Sequence, residues 1–127
     1  MPDLVSETRV KAGRKKCWCH DCHDDIEVGH PRLVRWWADG GEIYPWNTCQ
    51  RCEEFLSTAR EWMKVANRES AKRLNDQLEP PFWDDGYRRG WLRESFQEGI
   101  EIRGLVIRDR EAATTYLKES LNQVEAG

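Results

Sequence analysis

Apolar and polar residues change their period several times along the chain. Leu33-Val34-Arg35-Trp36-Trp37 is rich in β-branched and aromatic residues, the composition of a strand. Ala38-Asp39-Gly40-Gly41 follows, and Asp-Gly signals a hairpin turn because both central residues tolerate positive φ. Glu42-Ile43-Tyr44-Pro45-Trp46 is then the return strand. Pro45 has no N–H to give to a ladder, which places that strand at a sheet edge. From Cys49 the period becomes helical: Phe55, Ala59, Trp62 and Ala66 recur on one face, with Leu56 and Met63 beside them. Asn47 is the expected cap, with Gln50 where a capping-box partner belongs. This helix is expected to continue through Leu74 and Leu78 and to end at Pro80-Pro81, since a residue before proline is pushed out of the helical region.

The remainder of the chain carries weaker signals. Phe82, Trp83, Tyr87, Trp91 and Phe96 form an aromatic segment, and the i,i+4 pairs Tyr87-Trp91 and Leu92-Phe96 predict a short helix bounded by Gly86, Gly90 and Gly99. Residues 100–107 read as strand, with a bulge or turn at Gly104. Asp109 is placed to cap a last helix whose apolar face is Ala113, Leu117, Leu121 and Val124, with Tyr116 adjacent. At the other end, residues 1–16 read as a flexible lead-in. Within it Arg9, Lys11, Arg14, Lys15 and Lys16 stand close together without an acid among them. No internal repeat or low-complexity tract interrupts the chain.

Composition narrows the class. The 127 residues suit one domain, or a small module with a helical tail. Seven Trp supply material for a core, yet 34% charged residues and a mean hydropathy of -0.86 leave little for a large one. A chain this polar calls for a staple, and a bound metal is one. A net charge of -3 argues against a surface that coats DNA as a whole, while leaving room for a local basic patch. No stretch is apolar enough to span a membrane, and Met1-Pro2-Asp3-Leu4-Val5-Ser6 lacks the pattern of a signal peptide, so a cytoplasmic location is expected. In that compartment five Cys read as metal ligands or free thiols before disulfides.

Four of the five have ligand spacing. Cys19-His20-Asp21-Cys22 and Cys49-Gln50-Arg51-Cys52 are two C-x2-C pairs separated by residues 23–48. Each pair brings two thiolates onto one small cation, and two pairs complete a tetrahedron around zinc. Four thiolates leave no open position, so one structural Zn2+ is the expected cofactor. The second pair opens a helix, where the positive end of the helix dipole favours thiolate. Cys17 is a spare thiol or a substitute for Cys19. His20 and His23 stand beside the pair, so a site of three thiolates and one imidazole is the variant to test. An iron–sulfur cluster is a further occupant that four thiolates could hold.

The order of knuckle, hairpin and C-x2-C opening a helix resembles the treble-clef zinc finger over about residues 17–65. The string from Arg14-Lys15-Lys16-Cys17 to Cys22, with Ile26, Gly29, the aromatic hairpin and the closing Cys49 and Cys52, also resembles small zinc-finger proteins of tailed bacteriophages. The resemblance implies an accessory role in a bacterial host cytoplasm, exerted by binding host machinery such as transcription or defence complexes. It carries over no catalytic residue. The expected fold is therefore α+β: residues 1–16 a basic arm, 17–79 a treble-clef-like module with a long helix, and 80–127 a helix/strand/helix extension packed on or beside it.

Treble clefs also occur in HNH-type nucleases, and His30-Pro31, Gly40-Gly41 and Asn47 are fragments of such a site. A metal-holding His or Asn on the helix is missing, because Glu53-Glu54 follows Cys52, and Asn47 is too close to Cys49. Asp24-Asp25 and Asp84-Asp85 lie in expected turns and are assigned no chemistry. A non-enzymatic binding protein is the favoured reading, with a protein partner ahead of nucleic acid. For nucleic acid, Arg9, Lys11, Arg14, Lys15 and Lys16 are the candidate phosphate contacts, with Arg35 and Trp36 or Trp37 offering stacking or groove contacts; for a protein partner, Trp36 and Trp37 with Arg35 are candidate anchors of an interface. Trp36 and Trp37 are adjacent on a strand and so point to opposite faces.

Overall fold

The structure is a computed structural model that describes residues 3–78 and 90–126. The Pro80-Pro81 stop, the aromatic residues Phe82, Trp83 and Tyr87, and the acidic pair Asp84-Asp85 lie outside the described residues. The architecture is mixed α and β, with seven strands and four helices among the described residues. The chain divides into two compact units: Met1–Gln50 with Pro80–Arg93, and Arg51–Glu79 with Glu94–Gly127.

The first unit is built on a three-stranded antiparallel sheet of order β1-β4-β5, from β1 (Asp3–Val10), β4 (Arg32–Asp39) and β5 (Glu42–Cys49). A second, two-stranded ladder joins β2 (Cys17–Trp18) to β3 (Asp25–Ile26). Asp39 pairs with Glu42, so the loop between β4 and β5 is Gly40-Gly41 rather than Asp39-Gly40. Both glycines have positive φ, 59° and 85°, as a two-residue turn matched to strand twist requires. Pro45 lies opposite Trp36 on β5, which is an edge strand. Residues 3–10, expected within a flexible arm, instead form β1 along β4, with Glu7 opposite Arg35 and Arg9 opposite Leu33. Every residue of β1 except Val10 is exposed, so the strand is held by its ladder and carries no buried apolar face.

Leu33 and Val34 are both buried, so both faces of β4 are covered where it starts. Toward the hairpin the cover ends: Trp36 is 38% exposed and Ile43 is 63% exposed.

In the second unit the long helix is two. α1 (Gln50–Val65) buries Cys52, Phe55, Thr58, Ala59 and Trp62. The chain then leaves the helical ladder, and α2 (Arg68–Gln77) restarts with Asn67 as its cap, its side chain accepting from the Ser70 N–H at 2.8 Å. Asn47, expected as the cap of α1, lies in β5. The short helix α3 (Trp91–Glu98), whose first three residues belong to the first unit, ends at Gly99, and Phe96 meets Phe55 edge-on with ring centroids 5.1 Å apart. β6 (Ile100–Ile102) and β7 (Leu105–Ile107) form a hairpin turning at Arg103-Gly104, so of the bulge or turn expected at Gly104 it is the turn that forms. Gln77 closes one edge of that hairpin: its Nε2 donates to Glu101 O at 2.9 Å and its Oε1 accepts the Glu101 N–H at 2.8 Å. α4 (Arg110–Ala126) starts at Asp109, whose carboxylate accepts the Ala112 N–H at 2.9 Å. Among the described side chains of α4, Ala113 and Leu117 are the fully buried apolar ones.

Candidate metal centre

The turn between β2 and β3 is the first half of the site. The Cys19 N–H donates to Asp24 O and the His23 N–H to Cys19 O, each at 2.8 Å, and His23 takes φ 67° to close the loop. This fold of backbone sets Cys19 and Cys22 on one side of a tight knuckle. The second half comes from the end of β5, which carries Cys49, and the first turn of α1, which carries Cys52 three residues on.

The four Sγ atoms lie within 4.8 Å of one another, and no other group of three or more His, Cys, Asp or Glu side chains among the described residues could hold a metal ion. Cys22 Sγ and Cys49 Sγ are 3.8 Å apart. Four sulfurs at zinc-ligand distance on a tetrahedron stand about 3.8 Å from each other, so that pair is already at the required edge length. The Cys49 N–H donates to Cys19 Sγ at 3.3 Å, the backbone donor that a thiolate accepts in such knuckles. The three residues Cys19, Cys22 and Cys52 are buried and Cys49 is half-buried. The donor set fits a cation that takes four soft sulfur ligands and offers none to solvent.

The other sequence candidates have separate places. Cys17 is half-buried on β2, paired with Ile26, and is not one of the four. His20 is buried between Trp18 and Trp46, with ring centroids at 4.2 and 5.0 Å. Its Nδ1 accepts the Asn47 N–H at 2.8 Å and its own N–H donates to Asn47 O at 2.8 Å. The neutral ring therefore carries its proton on Nε2. His23 is exposed. Arg14, Lys15 and Lys16 are exposed between β1 and β2, and Lys16 lies 3.4 Å from Asp25 and 3.8 Å from Glu27. Arg35 and Trp37 are half-buried on β4 beside the more exposed Trp36. His30 is exposed, just before β4.

Two residues that shape the site carry no sequence signal of that role. Asp21, a spacer in the first C-x2-C pair, is buried and takes three side-chain donors. Its Oδ1 accepts Trp46 Nε1–H at 3.1 Å and Trp91 Nε1–H at 2.7 Å, and its Oδ2 accepts the Thr48 hydroxyl at 2.6 Å. Burial pushes its pKa up, against the pull of Thr48, Trp91 and Trp46 and of the Arg35 charge. The backbone reinforces this link: the Gly90 N–H donates to His20 O at 3.0 Å and the Leu92 N–H to Asp21 O at 2.8 Å. The second residue is Arg110, whose Nη1 lies 3.2 Å from Cys52 Sγ.

Comparison with protein-family models, with curated proteins and with solved structures finds no match to this chain. Among the described residues no helix is long and apolar enough to cross a membrane.

Proposed function

We propose that the chain is a non-enzymatic binding protein whose fold is stabilised by one structural Zn2+ held by Cys19, Cys22, Cys49 and Cys52. The observation that carries this reading is the four-sulfur group, mutually within 4.8 Å and enclosed by buried or half-buried cysteines. A cation with four thiolate ligands has no position for water or substrate, which suits a structural ion and not a hydrolytic one. The sequence of knuckle, hairpin β4–β5 and cysteine-bearing helix start supports a treble-clef-like module.

For the partner, the exposed end of the hairpin is the supporting feature. Trp36 and Ile43 offer apolar surface there, and Trp is the residue type that most often anchors an interface. The resemblance to phage zinc-finger proteins points the reading at a host protein complex, of transcription or defence. Metal analysis of the native protein tests the first claim, with one zinc per chain expected and metal-free folded protein refuting it. Capture from a bacterial lysate, at low and high salt and with Trp36→Ala alongside, tests the second. A host protein retained in salt and lost with Trp36→Ala supports it. Retention of nucleic acid that falls steeply with salt and with Arg14→Glu and Lys15→Glu would replace it with phosphate binding.

A further inference from the structure

Arg110 is the first residue of α4, an unfavourable place for a cation. The N-terminus of a helix is the positive end of its dipole and prefers acids. Asp109 and Glu111 satisfy that preference on either side, so the arginine between them needs a separate reason. Its side chain is only 13% exposed. Glu111 holds it through Nε at 3.3 Å and Nη2 at 3.0 Å, which turns the remaining Nη1 edge onto Cys52 Sγ at 3.2 Å. Burial opposes the charge, and the Cys52 sulfur and Glu111 together outweigh that, holding the guanidinium above its ordinary range.

Resting on the zinc reading above, we propose that Arg110 is a positioning residue of the metal centre: it donates a charge-assisted hydrogen bond to the Cys52 thiolate and thereby slows loss of the metal through that ligand. The charge arithmetic supports this. Four thiolates outweigh the two positive charges of zinc, so the centre is anionic, and a half-buried guanidinium at one sulfur offsets part of the excess. A hydrogen bond to a ligating sulfur also draws electron density from it. The sulfur is then held in place and is a poorer nucleophile toward a competing reagent, so it is less readily drawn off the metal. Arg suits the task better than Lys because its planar fork serves Glu111 and the sulfur at once.

The test uses the full chain as Arg110→Gln and Arg110→Lys. Zinc transfer to a chromogenic chelator is followed in each, and the thiolate-to-metal charge-transfer bands are recorded with Co2+ in place of zinc. Arg110→Gln is expected to release zinc about tenfold faster, the usual scale for losing an outer partner of a ligand, with the cobalt bands moved to lower energy. Arg110→Lys, which keeps the charge and loses the fork, should fall between. Bands and release rates identical to the parent in both variants overturn the proposal while leaving the zinc reading intact. A parent protein without bound metal overturns both. If Arg110→Gln does not accumulate in folded form, Arg110→Lys decides: a shifted band supports the proposal and an unshifted one overturns it.

Discussion

Replacing Asp21 by Ala and, separately, by Asn separates hydrogen bonding from charge at the heart of the knuckle. In the native protein one carboxylate satisfies two indole N–H groups and the Thr48 hydroxyl, at 3.1, 2.7 and 2.6 Å, and both Asp21 and Thr48 are fully or almost fully buried. Asp21→Ala leaves those three donors without their acceptor, and a buried polar group stripped of its partner costs about 1–3 kcal/mol. Allowing for water reaching one of them, the loss is about 3–6 kcal/mol, a large share of the 5–15 kcal/mol or so that holds a domain together. Asp21→Asn is different. Its amide oxygen keeps the Oδ1 position and both indole bonds, and its NH2 faces Thr48, whose hydroxyl rotates to accept. The substitution gives up the attraction to Arg35, and it removes a buried charge that burial already disfavours. It also removes a carboxylate oxygen 3.9 Å from Cys19 Sγ, a like-charge approach once that sulfur is a thiolate. The net effect of Asp21→Asn should be within about 1 kcal/mol of the parent. Urea unfolding at constant zinc loading, followed by tryptophan fluorescence, reads both values, since Trp46 and Trp91 touch the mutated group. Equal losses in the two variants, or an Asp21→Ala loss below about 1 kcal/mol, would refute the reasoning.

Cys22→Ser and Cys49→Ser should each abolish tight zinc binding and most cooperative folding, because structural zinc contributes about 10 kcal/mol or more to small zinc domains; soluble, cooperatively unfolding Cys22→Ser protein at normal yield would contradict this. Asn67→Ala removes the acceptor of the Ser70 N–H at the start of α2 and should cost about 1 kcal/mol in urea unfolding, with Asn67→Asp close to neutral. Gly99→Ala should cost about 2 kcal/mol in the same assay, since φ is 103° there and an added Cβ would stand 2.5 Å from Val106 Cγ1.

The features that were legible in the sequence are those written in short spacing. Two C-x2-C pairs encode a sulfur geometry within a few residues each, and the fold brings all four sulfurs within 4.8 Å of one another. The hairpin between β4 and β5 was legible from its glycines and from Pro45 at the edge. β1 was not, because Ser6-Glu7-Thr8-Arg9 offers no apolar period and the strand owes its form to pairing with a partner far along the chain. The break between α1 and α2 was missed for another reason. The apolar positions continue in phase toward Leu74, and neither Gly nor Pro marks the stop; the signal present was Asn67, a cap residue set before a fresh polar turn. Asp21 and Arg110 were beyond reach because their roles depend on contacts with residues distant in sequence: Trp91 stands 70 positions from Asp21, and Cys52 stands 58 from Arg110.

The knuckle at residues 19–22 therefore serves two sets of partners by alternation. Cys19 and Cys22 face the sulfur group, while His20 and Asp21 between them face β5 and residues 90–92. The two sets are unequal. With zinc bound as proposed, the metal contributes about 10 kcal/mol and the polar set about 3–6 kcal/mol, so loss of the second would leave a zinc-bound protein that is weakened but folded. Loss of the first leaves a polar set whose donors and acceptors must be ordered at the expense of chain entropy with no cation to offset it. The sulfurs then decide whether the turn forms at all. His20 and Asp21 decide how it is oriented once formed, by fixing it to the end of β5 that also delivers Cys49.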